Sequence, residues 1–184
     1  EYPARMATVF FLAGYAAVIY RFTRKEFGAE FSFLTAFMVI LSGRFLIYDS
    51  MLGLIDTTFS VVIYSLFMSI WHFGVREQWW RLFIVSYVLM ATGFLLKGLP
   101  AIVFQGLSLT AGLVFFGQWR RLFSLQHVAG ILLAGGIIGA WLLAYFQYQP
   151  LEKLLPNLVE ESVKRTAVVF GWWRTIEHVF RFPF

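Results

Sequence analysis

Apolar residues in this chain come in long runs separated by short polar knots. Six runs stand out, over residues 6–20, 29–43, 51–73, 82–96, 101–116 and 127–146. A helix needs about 20 largely apolar residues to cross a bilayer, within a range of about 17–25. The runs therefore predict about six transmembrane helices, with the first extending toward Pro3 and Phe22. After Pro150 the hydropathy falls, and residues 151–184 read as amphipathic interfacial helices with aromatics. The expected fold is an all-α membrane protein. A polytopic helical bundle fills residues 1–150, and an outer-face segment over 151–184 begins an outer loop. No repeat at a solenoid period interrupts the pattern. The opening on Glu1, with no basic leader, and the aromatic ending read as an internal piece of a longer polytopic chain.

Composition strengthens this picture. The 184 residues are 60% hydrophobic and 14% charged, against about 45–50% and about 25% in soluble domains. Mean hydropathy is +0.73. Such a chain is too apolar for a cytosolic enzyme, a secreted scaffold or a disordered segment. The absence of cysteine removes disulfides, thiolate metal sites and cysteine nucleophiles. A net charge of +5 would suggest nucleic acid in a soluble protein. Here the cations sit in short loops between apolar runs, which is an orientation signal and implies no nucleic-acid partner. Arg21, Arg24 and Lys25, then Arg76 and Arg81, then Arg120 and Arg121 form tight basic clusters in alternate loops. The positive-inside rule puts them in the cytoplasm. Arg5, Arg44, Asp49, Lys97 and the 151–184 tail then fall on the outer side.

Those outer residues are the candidates for chemistry. Arg44 and Asp49 stand at the end of the second run, and Asp56 follows about two helical turns after Asp49. Ionisable groups at membrane depth are costly and face a cavity, a pathway or a partner. The plainer account of Arg44 and Asp49 is an ion pair anchoring a helix end. For Asp56 it is a protonated carboxyl bonded to Thr57, Thr58 or a neighbouring helix. Lys97-Gly98-Leu99-Pro100 predicts a sharp turn that projects a compact cation suited to phosphate. A lysine snorkelling to the interface explains the same residue. In the tail, Glu161, Arg165 and His178 sit in the densest polar stretch. Arg165 suits phosphate oxygens, and His178 suits titration, yet a solvated interfacial helix accounts for both. His72 and His127 adjoin the basic loops and read as structural. Gly130, Ala134 and Gly135 suit close helix packing.

Taken in order, these segments resemble the bacterial branch of the polytopic, lipid-phosphosugar-dependent glycosyltransferases. That family includes the dolichyl-phosphate-mannose protein mannosyltransferases and the lipid A aminoarabinose transferase. Glu1-Tyr-Pro-Ala-Arg5 resembles its E-x-x-A-R entry, and Arg44-Phe-Leu-Ile-Tyr-Asp49 its R-(four residues)-D. Lys97-Gly98-Leu99-Pro100 is similar to its K-G-P turn, with Leu99 inserted. Glu161 through Arg165, with His178 beyond, resembles its E-(three)-R … H stretch. The resemblance implies a fragment of a larger multi-pass transferase fold in a bacterial inner membrane, with its active face outside. It implies transfer of a sugar from a polyprenyl-phosphate donor to a lipid, protein or glycan acceptor. Lys97 and Arg165 would hold the donor phosphate, and Asp49 would be a supporting carboxylate. Arg5, Arg44, Asp56, Glu161 and His178 would assist. The family's principal acid would lie ahead of residue 1, so the isolated piece would be inactive. No cofactor is required outright and no metal-ligand set is assigned, although the leaving phosphate is compatible with a divalent cation. The competing class is a transporter or flippase for a lipid-linked or anionic substrate. A structural membrane subunit is the blandest.

Overall fold

A computed structural model describes residues 2–43 and 56–147. All regular structure among the described residues is helical. The order is α1 (Tyr2–Phe27), α2 (Ala29–Ile40), α3 (Asp56–Val75), α4 (Trp79–Lys97), α5 (Pro100–Phe115), a 3-10 turn (Trp119–Phe123) and α6 (Leu125–Phe146). Helices therefore occur in each of the six apolar runs. Three of them, α3, α4 and α6, are long and apolar enough to cross a membrane. At 1.5 Å per residue, the 16-residue α5 reaches about 24 Å and the 12-residue α2 about 18 Å. Both fall short of a hydrocarbon layer of about 30 Å.

α1 departs from the sequence-based boundary. Of the segment 21–28, expected as a loop, residues 21–27 form the last two turns of a 26-residue helix. Arg, Lys and Glu are good helix formers, so the basic knot prolongs the helix, and the chain breaks only at Gly28. The Lys97–Pro100 turn forms as expected. Gly98 ends α4 at φ 80°, a left-handed conformation that glycine tolerates without cost. Pro100 opens α5 at a first-turn position where its missing N–H costs nothing.

The chain divides into two compact units, residues 1–140 and 141–184. In the first, α3 and α4 form the closest antiparallel hairpin, α1 packs on α2 and α3, and α5 packs on both α3 and α4. Leu66 and Ile70 of α3, Leu82 and Phe83 of α4, and Leu109 and Leu113 of α5 make the centre of the core. α6 approaches through small residues. A Cβ on Gly130 would lie 2.4 Å from the Tyr87 ring, so only glycine permits this contact. Ala134 is buried nearby, whereas Gly135 faces open space. Of the second unit, the described part is the last turns of α6, where Trp141 and Tyr145 stack with centroids 5.3 Å apart.

The outside of the helices is as apolar as the inside. Phe10, Leu132 and Leu143 are 75%, 70% and 69% exposed. Only 11% of the α6 span is buried within the chain. Monomeric soluble proteins rarely expose contiguous apolar patches beyond a few hundred Å². Helices that are apolar all round belong in lipid, and the chain has the surface of a membrane protein.

Candidate functional site at the Asp56–Lys97 end

Asp56 opens the described part of α3 and Lys97 closes α4, so the antiparallel hairpin brings them together across 41 residues. The Lys97 Nζ donates a short hydrogen bond to Asp56 Oδ1, forming a salt bridge. Both side chains are part-exposed, at 30% for Asp56 and 26% for Lys97. The same ammonium lies 5.3 Å from the centroid of the Phe59 ring, within range of a cation–π contact. Phe59 is one turn beyond Asp56 and packs with Ile63 and Ala101 beneath the pair. Gly93 keeps α4 close to α5 here, since its Cβ would stand 3.1 Å from that of Ala101. Thr57 is buried, and its hydroxyl has no hydrogen-bond partner among the described residues.

Two residues expected to act separately are thus one unit. Asp56, expected as a protonated carboxyl deeper in the bilayer and bonded to Thr57, Thr58 or a neighbouring helix, pairs with the ammonium of Lys97 on the neighbouring α4. The reason is topological. An α3–α4 hairpin of two nearly equal helices, 20 and 19 residues long, returns Lys97 to the level of Asp56. Spacing within one helix could not reveal that. Arg5 falls in the first turns of α1. Arg44, Asp49, Glu161, Arg165 and His178 lie outside the described residues. Among those described, no group of three or more His, Asp or Glu is placed to hold a metal ion.

The other end of the bundle gathers the basic clusters. Phe22 meets His72 at 6.0 Å between centroids, joining the end of α1 to the end of α3. Gly74 lies against Phe116, and the Arg121 guanidinium lies 4.3 Å over the Trp79 ring. Three basic clusters distant in sequence, the first of them in the last turns of α1, therefore share one end of the bundle. His127 is structural there, as expected. Its Nε2 is 2.6 Å from the Tyr87 hydroxyl, its Nδ1 bonds the Leu122 carbonyl, and its ring stacks on Phe83. With Nδ1–H donating to the carbonyl, Nε2 accepts from Tyr87.

A third polar feature went unnoticed in the sequence. Gln105 of α5 is buried and donates through Nε2 to Ser86 Oγ of α4 at 3.1 Å. Its Oε1 has no partner among the described residues. A lone glutamine within an apolar helix was the available signal, since intramembrane polar groups are expensive unless paired.

Together, fold and site define, among the described residues, an all-helical protein with three helices long and apolar enough to cross a membrane and an ion pair joining two helices at one end. No family model, no curated protein and no solved structure matches the chain.

Proposed function

We propose that this chain is part of a bacterial inner-membrane glycosyltransferase. In this reading the helices of all six apolar runs lie in the membrane, α2 and α5 as helices shorter than its hydrocarbon layer, the basic end lies in the cytoplasm, and the Asp56–Lys97 end faces outward. A sugar leaves a polyprenyl-phosphate donor and joins a hydroxyl of a lipid, protein or glycan acceptor. The acceptor oxygen attacks the anomeric carbon, the carbon–oxygen bond to phosphate breaks, and the hydroxyl proton passes to a carboxylate. The leaving phosphate gains charge, and cations held in place stabilise it. Lys97 and Arg165 take that role, Asp49 is the supporting carboxylate, and Arg5, Arg44, Glu161 and His178 assist.

The observation that carries this reading is the placement of Lys97. A glycine turn presents it at the end of the bundle opposite the basic clusters, and Asp56 and Phe59 orient its ammonium. An incoming phosphate would compete with Asp56 for the same cation. Binding of polyprenyl phosphate to the full chain in nanodiscs tests this. Lys97→Met should weaken binding about tenfold, since a charge-assisted contact is worth about 1.5–3 kcal/mol. Asp56→Asn should tighten it several-fold by freeing the ammonium. Unchanged binding in both variants sinks the donor-phosphate role.

The Gln105–Ser86 pair favours a second reading, a transporter or flippase for a lipid-linked or anionic substrate. Transport sites lie near the bilayer midplane, and this pair sits within the bundle, away from both ends. Substrate flux into vesicles that Gln105→Leu abolishes, with no sugar transfer in the unmodified protein, would favour that reading.

A further inference from the structure

At the basic end, α1, α3 and α4 leave a cleft of about 200 Å³ lined by Arg21, Phe22, Lys25, Ser69, His72 and Phe73, with Val85 of α4 beside them. Arg21 and Lys25 are four apart on α1, so both fall on one helical face. Their side chains are exposed, and neither has an ion-pair partner among the described residues. His72 sits between the Phe22 and Phe73 rings, which it meets edge-on. The charges acting on it are Arg76, Lys25 and Arg21 against the single carboxylate of Glu26. Ser69, one turn before His72, is buried and adds a hydroxyl to the wall. The lining therefore joins unneutralised cations and hydrogen-bond donors to aromatic walls at the end of an apolar bundle.

That combination fits a phosphate group. An Arg guanidinium grips phosphate oxygens with paired donors and a Lys supplies a compact charge. The volume accommodates a tetrahedral anion in place of several waters. The aromatic walls suit the glycerol and first methylenes of a lipid. Basic pockets between helices on the cytoplasmic side are the form in which anionic head groups are commonly held. We infer that this cleft binds a phosphate-bearing anion, the head group of an acidic phospholipid or a free phosphate, through Arg21, Lys25 and His72. The site is separate from the Asp56–Lys97 end, and its head-group form rests on the orientation proposed above, with the basic end in the cytoplasm.

Thermal unfolding of the detergent-purified full chain, titrated with phosphatidylglycerol, phosphatidylcholine or sodium phosphate at constant ionic strength, tests this. Phosphatidylglycerol should raise the melting temperature in a saturable way, and phosphatidylcholine should not. Protection by sodium phosphate alone would identify free phosphate as the ligand, and protection by the lipid alone the head group. Arg21→Gln/Lys25→Gln should weaken the apparent affinity at least tenfold. The charge-matched Arg24→Gln/Arg120→Gln, at the same end but outside the lining, should change it less than twofold. Native mass spectrometry counting retained phosphatidylglycerol provides a second readout if the double variant unfolds early. Equal losses in both double variants would mean diffuse attraction and overturn the site. Absence of protection by both phosphate sources would overturn it as well.

Discussion

The two ends of the bundle hold their charges in opposite ways. At one, Lys97 is matched by Asp56 and laid over Phe59, so a single cation is neutralised and oriented. At the other, Arg21, Arg24, Lys25, Arg76, Arg81, Arg120 and Arg121 gather with no ion pair among the described residues. Neutral contacts do the joining there. Tyr87, His127 and the Leu122 carbonyl form a hydrogen-bonded chain, and Arg121 stacks on Trp79. A lone ammonium at a helix end that is part-buried needs a counter-charge because desolvation is expensive. Seven cations at an exposed end can rest on water and anionic head groups, where each is worth about 1 kcal/mol of membrane attraction. Pairing therefore marks the end where charge is withdrawn from solvent, and clustering marks the end where it is offered.

The sharpest way to break this comparison is to ask whether the ends lie on opposite sides of a membrane. Cysteine placed singly at Arg24, Arg120 or Lys97 should react with an impermeant thiol reagent from different sides. In intact cells, position 97 should label and positions 24 and 120 should not. Labelling of all three from outside would dissolve the contrast.

Next in size is the ion pair itself. A double-mutant cycle of Asp56→Asn and Lys97→Met, read by reversible unfolding in detergent, should show coupling of about 1–2 kcal/mol. That lies between the sub-kcal value of a surface pair and the about 3–5 kcal/mol lost when a buried pair is broken. Coupling near zero would make Asp56 a bystander.

The neutral clasp at the basic end should matter nearly as much. Tyr87→Phe removes the donor to His127 Nε2 and should cost about 1–2 kcal/mol. Gly130→Ala, which drives a methyl into the Tyr87 ring, should lower the melting temperature too. If both leave it unchanged, α6 is not held by this contact.

The smallest effect belongs to the tight turn between α3 and α4. Glu77 adopts φ 55°, a left-handed conformation uncommon outside glycine. Glu77→Gly should stabilise the chain by about 0.5–1 kcal/mol, measured by the same unfolding assay. Destabilisation would show that its carboxylate offsets the neighbouring arginines.

Among the described residues, the helical character, the helices in the six apolar runs and the gathering of the basic clusters were legible in the chain because they are local. Runs of apolar residues need no partner to predict a helix in lipid, and cations in short loops declare an end by composition alone. The Gly98–Pro100 break was legible for the same reason, as a dihedral preference of particular residues. The end of α1 was misjudged because charged residues look like a loop and yet prolong a helix, as Arg24 and Lys25 do. What only the tertiary structure decided is which groups meet. Asp56 and Lys97 are 41 positions apart, Tyr87 and His127 40, and Gln105 and Ser86 19. No periodicity links such pairs. Their contacts depend on helix lengths, on the return of each hairpin and on the absent side chain of Gly130. The charge pattern marks the two ends of the bundle. Packing determines which charge is satisfied by a neighbour and which is left facing a cleft.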